Sequence, residues 1–205
     1  MRLYSFPLSG HCHRVRLFLS LIGLQAEVVD VDLKRRQHKS EDFLILNPLG
    51  QVPVLIDGDL ILADSNAILV YLAKAHSRTD WLPEGPVEAA AVQRWLSIAA
   101  GPIAAGPAAA RQITLFGAPL DPDATIAKAH AILRVIEQEL SAGQFLAGEH
   151  PTIADVAIYS YVALAPEGNV SLGEYVNLRR WLTRIEDLPG FIAPQTTPAG
   201  LAAHS

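Results

Sequence analysis

Three side chains able to hold or attract a proton stand within four residues of one another near the start of the chain: Ser9, His11 and Cys12. They lie where a helical pattern begins, and the free N–H groups and dipole of a helix N-terminus favour negative charge. A serine there is an ordinary helix cap or a hydroxyl donor to an anion. A cysteine in a first turn is either a thiolate favoured by the dipole or a small buried apolar residue. His11 reads equally as a second donor or as a surface histidine. Further on, Asp64 and Ser65 again stand where a cap belongs, a position that suits a ligand carboxylate as well as a helix. His38 and Lys39 close a basic stretch from Lys34, either a cationic contact for a carboxylate or a solvated loop. Cys12 is the single cysteine, which rules out an intramolecular disulfide and any multi-cysteine metal site.

The elements that must carry these groups can be read from periodicity. Arg2 to Phe6 is strand-like, and Pro7-Leu-Ser-Gly10 punctuates it before a helix whose Val15, Phe18, Leu19 and Ile22 share one face and whose stop is Gly23. Glu27 to Val31 reads as a second strand, giving a β-α-β opening. A short amphipathic segment around Phe43 and Leu46 ends at Asn47-Pro48-Leu49-Gly50. Val52 to Ile56 and Leu60 to Leu62 then flank Asp57-Gly58 as a hairpin, and a helix follows Asp64-Ser65 with Ile68, Leu72 and Ala75 as its stripe.

The character of the chain changes at Trp81-Leu-Pro-Glu-Gly-Pro86, after which no strand alternation is visible. The expected domains are residues 1–78, a linker at 79–85, and a helical part over 86–205 with a mobile tail from Pro194. A helix from Pro86 carries Val92, Trp95 and Leu96, and Gly101-Pro102 and Gly106-Pro107 are expected to kink or interrupt it. Further helices are expected over about Asp123 to Leu140, after Thr152, and around Leu178, Trp181, Leu182 and Ile185.

The 50% hydrophobic content can fill a sizeable core, so disorder is excluded. With 18% charged residues and a formal net charge of -5 there is no broad basic field, which argues against nucleic acid and anionic membrane surfaces as partners. No apolar run reaches the roughly 20 residues that a spanning helix needs, and the opening lacks a secretory apolar core, so a cytoplasmic location is expected.

The order β-α-β-(α)-β-β-α, with a proline opening the third strand, resembles the thioredoxin fold as glutathione transferases use it. The pieces that carry the resemblance are Pro7-Leu-Ser9, His38-Lys-Ser40, Asn47-Pro-Leu-Gly-Gln-Val-Pro-Val-Leu55, Asp64-Ser65 and Pro151-Thr-Ile-Ala-Asp155. The resemblance, closest to the serine-type bacterial members of the glutathione S-transferase family, implies an α/β thioredoxin-like N-terminal domain and an all-α C-terminal domain. It implies glutathione as co-substrate, no tightly bound cofactor, no metal, and a homodimer. Pro53 matches the position that the family holds as a cis proline, and Gln51 and Val52 resemble the stretch whose backbone pairs with the cysteinyl part of glutathione. Asp64 and Ser65 resemble the pair gripping the γ-glutamyl end, and His38 and Lys39 a pair directed at the glycyl carboxylate.

In that reading Ser9 is the catalytic residue. A thiol with a pKa of about 8.5 is only a few per cent ionised at neutral pH. A hydroxyl donating to sulfur, at roughly 1.5–3 kcal/mol for a bond to a charged group, with a helix N-terminus at roughly 0.3–1, covers the about 2.7 kcal/mol that a two-unit drop requires. His11 is the alternative donor and Cys12 the alternative nucleophile. Arg111 and Phe116, near the irregular helical stretch, are the candidates for a site that takes a small apolar electrophile. Rival functions are a glutathione-dependent disulfide reductase or peroxidase, and a non-catalytic interaction module. Thr152 and Asp155 fit a capping box, and the resemblance implies that the motif serves folding rather than catalysis.

Overall fold

The computed structural model describes residues 1–204. Strands β1 (Arg2–Ser5), β2 (Glu27–Asp30), β3 (Val54–Asp57) and β4 (Leu60–Ala63) form one mixed sheet in the order β2-β1-β3-β4. β2 runs parallel to β1, while β3 is antiparallel to β1 and to β4. Helices α1 (Gly10–Leu21), α2 (Glu41–Leu46) and α3 (Ser65–Ala75) complete this half. The hairpin register pairs Asp57 with Leu60, so the turn residues are Gly58 and Asp59 rather than Asp57 and Gly58. Gly58 has φ +57, the positive value that a two-residue turn with glycine first demands.

The second half is helical: α4 (Pro86–Ile98), α5 (Ala109–Phe116), α6 (Pro122–Glu139), α7 (Ile153–Ala163) and α8 (Val176–Glu186). The two Gly-Pro pairs do not interrupt the helix that starts at Pro86. Ala99–Ala108, with Pro102 and Pro107 inside it, winds as a π-helix that joins α4 to α5 without a break. A proline lacks the N–H of the regular ladder, and a wider turn is one way to absorb that loss.

α7 is buried along nearly its whole length. Its N-terminus is closed by the capping box of Thr152 and Asp155, and Asp155 also accepts from the Leu146 N–H and the Trp181 indole N–H, both at 2.9 Å. The two halves share one hydrophobic core, in which Leu3, Phe18 and Leu72 of the first pack with Trp95, Ile158 and Trp181 of the second. Buried His13 adds a polar tie between them. Its Nε2 lies 2.8 Å from the Ile192 carbonyl and its Nδ1 2.8 Å from the Ser160 hydroxyl. The carbonyl can only accept, so Nε2 carries the proton and Nδ1 receives the hydroxyl.

The segment beyond Pro194, expected to be mobile, lies against the helical half: the Thr197 N–H donates to Glu167 at 2.7 Å, and Gly200–His204 forms a short 3-10 turn.

Candidate active site

α1 is capped by Ser9, whose backbone is extended (φ -82, ψ 119) and whose Oγ accepts from the Cys12 N–H at 3.2 Å. Its N–H donates to the Phe6 carbonyl at 3.0 Å and its own carbonyl accepts from His13 N–H at 2.9 Å. With the oxygen accepting from the Cys12 N–H, the hydroxyl hydrogen can be donated, and the Cys12 thiol is one group within its reach. Ser9 borders a cavity of about 680 Å³ lying between the sheet half and α5 with the π-helical stretch.

His11 borders the same cavity, its ring edge-on to Tyr161 with centroids 4.9 Å apart. Burial first, then the neighbouring Arg14 charge, lowers its pKa to about 3, so the ring is neutral at pH 7. Its Nδ1 is 3.3 Å from the Ser65 hydroxyl, which also accepts from Arg14 Nη1 at 2.7 Å. A hydroxyl oxygen can accept twice, so Ser65 either donates to His11 Nδ1, which puts the imidazole proton on Nε2, or accepts from Nδ1–H as well as from Arg14. Cys12 faces away: it is 1% exposed, its sulfur accepts from the Phe6 N–H at 3.3 Å, and burial raises its thiol pKa. A thiol so placed is protonated and shielded.

His38, Lys39, Gln51 and Val52 form a second stretch of the cavity wall. Lys39 spends one donor on the Leu49 carbonyl at 2.9 Å, leaving its other protons available. His38 Nδ1 is buried and, among the described residues, has no hydrogen-bond partner. Desolvation, then Lys39 and Arg36, lowers the His38 pKa. Lys39 is therefore the cation of the pair at neutral pH. The Val52–Pro53 peptide is cis, and Pro53 is buried behind the wall.

Asp64 and Ser65 lie just outside the cavity lining. Asp64 has φ 73 and caps α3 through Oδ1, which accepts from the Asn66 and Ala67 N–H groups at 2.8 and 3.0 Å. Ser65 is 2% exposed, beneath His11 and over Arg14. On the far wall Phe116 is half exposed and faces Phe6 with centroids 6.4 Å apart. Arg111 borders the cavity but is 3% exposed and paired with Glu167.

Sequence reasoning missed Arg14, Asn66 and Tyr161, and it offered the Pro166–Asn169 loop only as an irregular place for a second substrate, not Glu167 as the partner of Arg111. Arg14 is fully enclosed, bonded through Nη1 to Ser65 and Asn66, while its Nε and Nη2 have no partner among the described residues. Its burial lowers its pKa to about 10, which leaves it charged at neutral pH. A signal existed: residues 11, 14, 15 and 18 share one helical face, so a charge at 14 sits on the buried stripe. Tyr161 carried no such mark, because α7 is apolar on all sides. Gly10 is the groove for its ring, since a Cβ there would lie 2.8 Å from it.

Comparison with known proteins points to one family. Residues 1–74 match the family description "Glutathione S-transferase, N-terminal domain", and residues 119–189 match "Glutathione S-transferase, C-terminal domain". The chain is 38% identical to glutathione S-transferase 3 of Zea mays over 76% of this chain and 73% of that protein. It is 32% identical to a probable glutathione S-transferase of Oryza sativa subsp. japonica, covering 92% and 93%. Among solved structures, a possible glutathione S-transferase from Rhodopseudomonas palustris superposes with a TM-score of 0.87 at 32% identity, over 96% of this chain and 98% of that one. A glutathione transferase homologue from Drosophila mojavensis, solved with bound glutathione, gives 0.85 at 28% identity, over 91% and 87%.

Proposed function

The chain belongs to the glutathione S-transferase family, and from that premise we propose that it conjugates the thiolate of glutathione to small apolar electrophiles. The observation that carries the proposal is the setting of Ser9: a capping serine bordering one cavity that also holds Lys39 and Val52 on one side and Phe6 and Phe116 on the other. The first group suits a charged peptide; the second suits an apolar partner.

In this reading the glycyl carboxylate meets Lys39, with His38 beside it, and the cysteinyl backbone runs along Gln51 and Val52. The γ-glutamyl end approaches the N-terminus of α3 at Asp64 and Ser65, where the buried Arg14 adds positive potential. The sulfur then stands at Ser9, with His11 Nε2–H as a second donor. The thiol proton leaves to solvent and the Ser9 hydroxyl donates to the anion, worth roughly 1.5–3 kcal/mol. The sulfur lone pair forms the new bond to the electrophilic carbon. In a substitution the leaving group departs with its bonding pair; in an addition the resulting carbanion takes a proton from water. Phe6, Phe116 and the π-helical wall hold the electrophile, while Arg111 supports that wall rather than meeting an anion.

The same reading takes residues 1–78 as the glutathione-binding domain, 79–85 as linker and 86–205 as the helical domain, in a cytoplasmic homodimer with no metal or resident cofactor. No helix among the described residues is long and apolar enough to cross a membrane. The buried, protonated setting of Cys12 favours conjugation over disulfide reduction. The polar groups grouped around Ser9 favour an enzyme over an interaction module. The test is to supply the purified protein with glutathione and either an aryl halide or a mixed disulfide in a coupled reductase assay. Turnover of the halide well above the disulfide supports conjugation, and the reverse order would give the assignment to the reductase.

A further inference from the structure

Arg111 is a cation enclosed in the wall of the cavity; its own bonds reach two separate parts of the chain, and its partner Glu167 reaches a third. Its Nε donates to Glu167 Oε2 at 2.6 Å, with both side chains almost wholly buried. Its Nη1 donates to the carbonyl of Leu8, the residue immediately before Ser9, at 2.5 Å. The other oxygen of Glu167 accepts from the Thr197 N–H at 2.7 Å. The fit around this pair is close. A Cβ on Gly168 would lie 2.5 Å from the Arg111 nitrogen, and one on Gly200 would lie 2.7 Å from the Pro166 and Glu167 carbonyls.

Burial of an ion pair brings little stability by itself, because desolvation offsets the attraction. What a guanidinium supplies is a planar fork that fixes two acceptors relative to each other. One acceptor here is Glu167, held by the C-terminal segment. The other belongs to the peptide plane joining Leu8 to Ser9. That plane is rigid, so its carbonyl and the Ser9 N–H turn together. The N–H end is fixed within the sheet half by the Phe6 carbonyl at 3.0 Å, and the carbonyl end is fixed from the helical half by Arg111. Rotation of the plane would swing the Ser9 side chain, and a donor to a reacting atom must be held to about 0.5 Å.

We propose that Arg111 is a positioning residue for Ser9: paired with Glu167 and braced by the segment around Thr197, it sets the Leu8–Ser9 peptide so that the Ser9 hydroxyl meets the sulfur of glutathione. The inference rests on the role given to Ser9 above. It makes thiol activation depend on the docking of the helical half and of the C-terminal segment, although neither supplies the donor.

The experiment titrates the thiolate absorbance of glutathione bound to four proteins: wild type, Ser9→Ala, Arg111→Lys, and the double variant Arg111→Met with Glu167→Leu. Both Arg111 variants leave the net charge at the site unchanged, so an electrostatic effect of the guanidinium on the sulfur is separated from a geometric one. The double variant avoids an unpaired buried charge, and Arg111→Lys keeps the pair should the double variant fail to fold. We expect both to raise the pKa of bound glutathione by about one pH unit, which is about tenfold less thiolate below that pKa. Affinity for S-methylglutathione, which has no thiol to activate, should stay unchanged. A wild-type titration in either folded variant, with Ser9→Ala raised, would overturn the role of Arg111 alone. An unmoved titration in Ser9→Ala would remove the premise and the inference with it.

Discussion

Ser65 is buried between a cation and a neutral imidazole, which makes its hydroxyl a junction rather than a simple ligand. Removing it leaves Arg14 Nη1 bonded to Asn66 and frees His11 Nδ1. Ser65→Ala is therefore expected to weaken glutathione binding by about 1–3 kcal/mol, measured calorimetrically, through a lost contact and a shifted His11 ring. Full affinity in a folded variant would show that the γ-glutamyl end is held elsewhere. At this scale the sequence was partly legible. Residue types that suit caps and anions marked Ser9, Asp64 and Ser65, because capping depends on neighbours along the chain. It could not separate Ser9 from Cys12, since they are three residues apart and differ only in which way the first turn of α1 points them. The structure sends the Cys12 sulfur to the Phe6 N–H, away from the cavity.

Among the elements, α7 is the one on which the helical half depends. Thr152 supplies one cap oxygen, while Asp155 receives the Leu146, Thr152 and Trp181 N–H groups inside the core. Thr152→Ala should cost about 0.5–2 kcal/mol in denaturant unfolding. Asp155→Ala should cost more, at least about 3 kcal/mol, because each buried donor left unpaired costs about 1–3. Equal losses would contradict the central place given to Asp155. The motif was readable as a capping box, but the Trp181 contact was not, being a meeting of residues far apart in sequence. The Gly-Pro pairs taught the opposite lesson: they were expected to kink or interrupt the helix, and a π-helical stretch carries the chain through without a break. α1 has its own signature in acid. His13 is held neutral by burial, its pKa lowered to about 4, and an unfolded histidine titrates near about 6.5. Between those values the unfolded chain binds more protons, so stability is full above about pH 6.5 and falls as the pH drops toward about 4, by about 1 kcal/mol per pH unit for each such group. His11, lowered to about 3, adds to the same slope. Urea unfolding at a series of pH values should show this fall, and His13→Gln should make it shallower; an unchanged slope would mean that His13 binds its proton equally well in the folded and unfolded chain.

At the scale of the whole molecule, the cavity exists because one core joins the two halves and places α5 and the π-helical stretch opposite the first turn of α1. The order of strands and helices followed from periodicity and breakers, which are local. The far wall followed only in Arg111 and Phe116: Tyr161 acquires its role through packing between halves, and it looks like core until Gly10 is seen beneath its ring. The central claim is that this assembly presents the Ser9 hydroxyl to a thiol and holds it as the anion. The most direct measurement is a pH titration of thiolate absorbance for glutathione bound to wild type and to Ser9→Ala, with Cys12→Ser as control. A rise of about one to two pH units is expected in Ser9→Ala, from the loss of about 1.5–3 kcal/mol, with Cys12→Ser titrating as wild type. A thiolate that titrates alike in wild type and Ser9→Ala would contradict it.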